Sequence, residues 1–208
     1  MSGRPAFPAR VVLATGNPGK LREMRDILEP WQVDVRPLSE FSSASADETG
    51  LSFVENAILK ARFAAQASGL PAIADDSGLE VDALHGAPGI YSARYAGPGA
   101  DDAANNRRLL ADLADVPDTE RTARYRCAMV WLRWPADPAP VIAQASWEGR
   151  IARAPRGSGG FGYDPLFIVA GGERMAAEFD AAEKNRVSHR GLALRALVAA
   201  LGAAADGA

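Results

Sequence analysis

Val11 to Leu28 reads VVLATGNPGKLREMRDIL, and its period changes halfway along. Val11 to Thr15 is a short β-branched run, whereas Leu21, Met24, Ile27 and Leu28 recur at the spacing of one helix face. Asn17 is a favoured N-cap and Pro18 suits the first helical position, so this stretch predicts strand, tight loop and helix. That order is the opening unit of a mixed α/β fold.

Beyond this unit, VDVRP at Val33 to Pro37 supplies a second strand candidate. LSFVENAILKARFAAQASG, Leu51 to Gly69, pairs Ser52 with Glu55 as a capping box and sets Phe53, Ala57, Ile58, Ala61 and Ala64 along one apolar stripe. PAIADDSGLEV, Pro71 to Val81, predicts a short buried strand at Ala72–Ala74 that ends in two aspartates and a Ser-Gly turn. Side chains of adjacent strand residues face opposite ways, so Asp75 and Asp76 should diverge. A helix is expected around DDAANNRRLLADLA, and long strands over RTARYRCAMVWLRW and VIAQASWEGRI. GSGGFGYDPLFIV predicts a glycine-rich loop entering another strand. Ser188 caps a last helix, with Leu192, Ala196, Leu197, Ala200 and Leu201 on its apolar side.

The 208 residues form one domain by expectation, with residues 1–10 a loose arm and 202–208 a frayed tail. Net charge is -3, which argues against a surface that coats nucleic acid. No uninterrupted apolar run is long enough for a membrane span, and the first residues lack a signal-peptide core, so a cytoplasmic location is expected. A single cysteine, Cys127, sits in the apolar run CAMVWL and reads as a buried structural thiol. His85 reads as a turn residue.

Chemistry collects in three places. Thr15, Gly16, Asn17, Pro18, Gly19 and Lys20 bring a strand into a helix N-terminus with a lysine in its first turn, an arrangement suited to an anion. It is not a Walker A motif, because the glycines are too close together and Leu21 follows the lysine. Phe161, Gly162, Tyr163 and Asp164 combine close backbone approach, an aromatic face and an acceptor, which suits a nucleobase. Lys184, His189 and Arg190 add cationic groups, two of them at a helix start, where an external anion or polar ring would hold them. Glu48, Asp75 and Asp76 supply acids for a hard cation. Glu55 and Lys60 lie on the helix next to Glu48 in sequence, although an exposed charge pair is their simpler reading. Alone, each motif also reads as a plain cap, a hairpin turn or solvated charge; together they supply phosphate, base and divalent-metal contacts.

The segments TGNPGK, ETGLSFVENAILKA, ADDSGLEV, APGIYSARYAG, GGFGYDP and EKNRVSHRG, in this order, resemble the family of pyrophosphatases for non-standard purine nucleoside triphosphates, the inosine triphosphatase-like proteins. The resemblance runs from about Val11 to Leu201. It implies a long mixed sheet flanked by helices, in two lobes with the substrate cleft between them, and a homodimer. It implies Mg²⁺-dependent hydrolysis of ITP, dITP and XTP to the monophosphate and pyrophosphate, removing damaged bases from the nucleotide pool. Carried over, Thr15 to Lys20 would hold the triphosphate, Glu48 and Asp76 the metal, and Asp76 would be the proton acceptor. Ser77 would touch the substrate, and Phe161 to Asp164, Lys184, His189 and Arg190 would surround base and phosphates. Asp75 would support its neighbour or share the metal. Two rival readings are a related pyrophosphatase for modified pyrimidine or methylated nucleotides, and a nucleotide sensor without turnover.

Overall fold

A computed structural model describes residues 8–206, with side chains as far as Gly202. The strands are β1 (Arg10–Leu13), β2 (Asp34–Pro37), β3 (Ala72–Val81), β4 (Thr122–Leu132), β5 (Val141–Ile151) and β6 (Phe167–Val169). The helices are α1 (Pro18–Leu28), α2 (Phe53–Ser68), α3 (Asp102–Asp112), α4 (Ala181–Val187) and α5 (His189–Asp206). One six-stranded sheet runs in the order β2-β1-β3-β4-β5-β6. It is mixed, because β1 pairs in parallel with β2 and β3 while β5 and β6 are antiparallel. No helix among the described residues is long and apolar enough to cross a membrane.

The chain forms two compact units. Of the described residues, the first takes those up to Asp76, Cys127–Ala145 and those from Arg190 on; the second takes Ser77–Arg126 and Ser146–His189. In the first unit, the two-residue period of β1 sorts its side chains into two layers. Val11 and Leu13 pack with Met24 and Leu28 of α1 and Leu194 and Leu197 of α5. Val12 and Ala14 pack with Ala57, Ala61, Ala64 and Ala65 of α2. The small residues of α2 let it lie close to the sheet, and Gly69 ends it in a left-handed conformation at φ 67. The second unit has a core of its own, built from Leu79, Val81, Leu109, Leu113, Tyr125, Trp147 and Phe167.

Two expectations are corrected. The Ser-Gly turn does not form: β3 continues through Ser77 and Gly78 to Val81. Leu79 and Val81 are fully buried beyond it, and the burial of those two side chains outweighs the turn preference of Ser-Gly. The apolar face of α5 is also rotated, for Ala193, Leu194, Leu197, Val198 and Leu201 are buried while Leu192, Ala196 and Ala200 are exposed. Arg190 sets that phase, being buried with acidic partners one turn before Ala193 and Leu194. The arm expected over 1–10 lies outside the described residues up to Phe7, and of the tail expected over 202–208, α5 includes the part up to Asp206.

Candidate functional site

In the first unit, β1 delivers the chain through Thr15 and Gly16 into α1. Asn17 caps the helix, its Oδ1 accepting from the amides of Gly19 at 2.8 Å and Lys20 at 3.2 Å, while its own amide donates to Thr15 Oγ1 at 3.1 Å. Pro18 has no amide hydrogen to satisfy. The cap thus fixes where α1 begins and places Lys20 in its first turn, its Nζ 2.8 Å from Asp75 Oδ2.

The paired aspartates do diverge. Asp75 faces Lys20 and Arg190, whose Nε stands 3.5 Å from Oδ2 and whose other arm pairs with Glu23. Burial opposes ionisation of Asp75, but Lys20, Arg190 and Lys60 together hold its carboxyl far below the usual carboxylate range. Asp76 faces Lys60, whose Nζ lies 2.6 Å from Oδ1 and 3.0 Å from Glu48 Oε1. For Asp76 burial wins: it pushes the pKa upward despite the attraction of Lys60, and Glu48 adds repulsion. Burial also opposes the charge on Lys60, yet Asp75, Asp76 and Glu48 raise its pKa on balance. Asp76 Oδ2 is buried with no hydrogen-bond partner.

Glu48 and Asp76 therefore meet around one cation, the Lys60 ammonium, and Lys60 is not the exposed charge pair of its simpler reading. An orphaned carboxylate oxygen beside a second carboxylate fits a hard divalent ion that takes its other ligands from phosphate and water. No group of three or more His, Cys, Asp or Glu residues among the described residues would hold a metal unaided. Glu55 is drawn elsewhere: its carboxylate accepts from Ser52 Oγ at 2.7 Å and the Leu51 amide at 2.9 Å, completing the cap of α2.

In the second unit the glycine-rich loop closes on Asp164. Asp164 Oδ2 accepts from Lys184 Nζ at 2.6 Å and the Phe161 amide at 2.9 Å, and Oδ1 from the Tyr125 hydroxyl at 3.2 Å. Gly160 has φ 73, and a Cβ there would run into the Asp164 carboxylate, so both its conformation and its surroundings favour glycine. Lys184 also lies over the Phe161 ring, 4.9 Å from its centroid. Gly162 is held at both ends, its amide donating to Asp102 at 2.7 Å and its carbonyl accepting from Asn106 at 2.9 Å. Tyr163 is buried and donates to the Ser92 carbonyl. Ser77 lies on β3, half-buried. His189 is buried, stacked on Tyr125 with centroids 4.6 Å apart and planes 9° from parallel.

Arg190, expected to meet an external group, is met from within by Glu23 and Asp75. Glu23 escaped the sequence reading, although it follows Lys20 by three residues on α1 and so shares its face. Tyr125, Asp102 and Asn106 also escaped, having no local signal that links them to the loop.

The Ham1 family model matches residues 11–200, nearly the whole described chain. The chain belongs to the Ham1 family. It is similar to a protein of Thioalkalivibrio sulfidiphilus named dITP/XTP pyrophosphatase, with 62% identity over 189 residues, 91% of this chain and 96% of that one. A protein of the same name from Escherichia coli O157:H7 is 55% identical over 192 residues, 92% of this chain and 98% of that one. Among solved structures, the HAM1 protein of Coxiella burnetii superimposes with a TM-score of 0.85 at 49% identity, covering 92% of this chain and 98% of that one. The α/β fold with its mixed six-stranded sheet is thus that of Ham1 proteins.

Proposed function

We propose that this protein is a nucleoside triphosphate pyrophosphatase that hydrolyses ITP, dITP and XTP to the nucleoside monophosphate and pyrophosphate, clearing non-standard purines from the nucleotide pool. The observation that carries this reading is the division of labour at the paired aspartates: Asp75 is neutralised by Lys20 and Arg190, while Asp76 keeps a buried, unpartnered oxygen beside Glu48 and Lys60. The names of the relatives, dITP/XTP pyrophosphatase, support the substrate class.

In this mechanism Asp76 accepts the proton of the attacking water as the anhydride bond between the α- and β-phosphates breaks. Lys20, at the start of α1, and Lys60 counter the phosphate charge, and the Thr15–Lys20 loop positions the chain of phosphates. Glu48 and Asp76 would hold Mg²⁺, which when bound supplies charge neutralisation at the phosphate oxygens. In the second unit, Lys184 and His189 donate to the 6-oxo group of hypoxanthine or xanthine, and Phe161 offers the base a stacking face. Adenine presents an amino donor at that position, and an unpaired buried polar group costs about 1–3 kcal/mol. A net charge of -3 argues against a nucleic-acid partner. We also infer a homodimer, which light scattering on the purified protein tests, and a cytoplasmic location.

Asp76→Asn is the direct test of the mechanism. The variant should fold and bind nucleotide while kcat falls by about 10²–10⁴. Near-normal turnover would remove Asp76 from the mechanism.

A further inference from the structure

Tyr125 stands out because two of the groups assigned to the base converge on it. Its ring lies parallel to His189 at 4.6 Å, and its hydroxyl is 3.2 Å from Asp164 Oδ1. The ring packs in turn against Phe167 at 4.7 Å and Trp147 at 6.4 Å, and Trp147 also lies beside His189, 6.5 Å from it. A phenylalanine would fill the same core space and keep the stack, so packing alone does not account for the hydroxyl. On Asp164, Lys184 and the Phe161 amide occupy Oδ2 while Tyr125 occupies Oδ1. Holding both oxygens stops the carboxylate rotating, and with it fixes the direction of the Lys184 ammonium.

We infer that Tyr125 is a positioning residue for base recognition: its ring sets the plane of the His189 imidazole and its hydroxyl locks the Asp164 carboxylate that orients Lys184. This rests on the function proposed above. It assigns to the Tyr125 end of β4, the part of that strand in the second unit, a part in substrate selection. Tyr125 touches no substrate itself and acts through His189 and Asp164.

The test uses Tyr125→Phe and Tyr125→Leu in the full chain. The protein has two histidines, so proton NMR, with His85→Asn for assignment, reads His189 alone. Its ring protons should lie upfield in the wild type and in Tyr125→Phe and move downfield in Tyr125→Leu, the shift that remains being that of Trp147, 6.5 Å from His189. Loss of one hydrogen bond to a carboxylate should raise KM for ITP about five- to tenfold in Tyr125→Phe, with kcat within about twofold and an unchanged unfolding midpoint. An unchanged KM, a loss of kcat that merely follows lost stability, or a wild-type His189 without the upfield shift would overturn the inference. Should the wild type release no pyrophosphate, the proposed function fails separately, and ITP binding by equilibrium dialysis then decides. Weaker binding by Tyr125→Phe supports the positioning role, whereas equal binding or none by either protein overturns it.

Discussion

Asp75 and Asp76 are the same residue twice over, and their surroundings give them opposite behaviour. The carboxyl of Asp75 ionises far more readily in the folded protein than in the unfolded chain, so it contributes stability that is present above the ordinary aspartate range and lost as pH falls through and below it. Asp75→Asn leaves Lys20 and Arg190 short of a counter-charge and should cost about 3–5 kcal/mol at neutral pH by urea unfolding, the deficit shrinking below about pH 4. A deficit that does not change with pH would place the loss in packing instead. Cys127 is a second residue-scale case: burial, with Asp75 nearby, pushes its thiol up to about 12. It should resist alkylation at pH 8 in the native protein and react once the protein is unfolded in urea.

The helices are where local chemistry decides structure. Asn17 satisfies two amides of α1, and Asn17→Ala should cost about 1 kcal/mol in urea unfolding while also loosening the loop that aims Lys20. Gly69→Ala, at a left-handed helix end, should cost about 1–2 kcal/mol. Both α1 and α2 were legible in the sequence because cap and stripe agree on where they start and which face is buried. The end of β3 was not, because Ser77 and Gly78 favour a turn and only the burial of Leu79 and Val81 reveals that the strand goes on. The phase of α5 was hidden for a different reason. Its leucines and alanines surround the helix, and the buried ion pairs of Arg190 with Glu23 and Asp75 choose the inner face. Of the candidate site, the lysines, acids and glycines were visible as motifs. The long-range partners Glu23, Tyr125, Asp102 and Asn106 were not, since folding alone brings them to Arg190, Asp164 and Gly162.

At the scale of the molecule, two cores support two kinds of chemistry. The first unit gathers Lys20 from the start of α1, Glu48 from the loop before α2, Lys60 from α2, and Asp75 and Asp76 from within β3, a set suited to phosphate, metal and water. The second gathers Phe161, Asp164, Lys184 and His189 around an aromatic core, a set suited to a planar base. Lys20→Ala should therefore raise KM for the triphosphate without abolishing turnover, as steady-state kinetics with ITP will show. The most direct measurement is product analysis with Mg²⁺ and, separately, ITP, XTP, dGTP and ATP. Pyrophosphate and nucleoside monophosphate are expected from ITP and XTP, with little product from dGTP or ATP. Orthophosphate as the product, or ATP hydrolysed as readily as ITP, would contradict the proposed function.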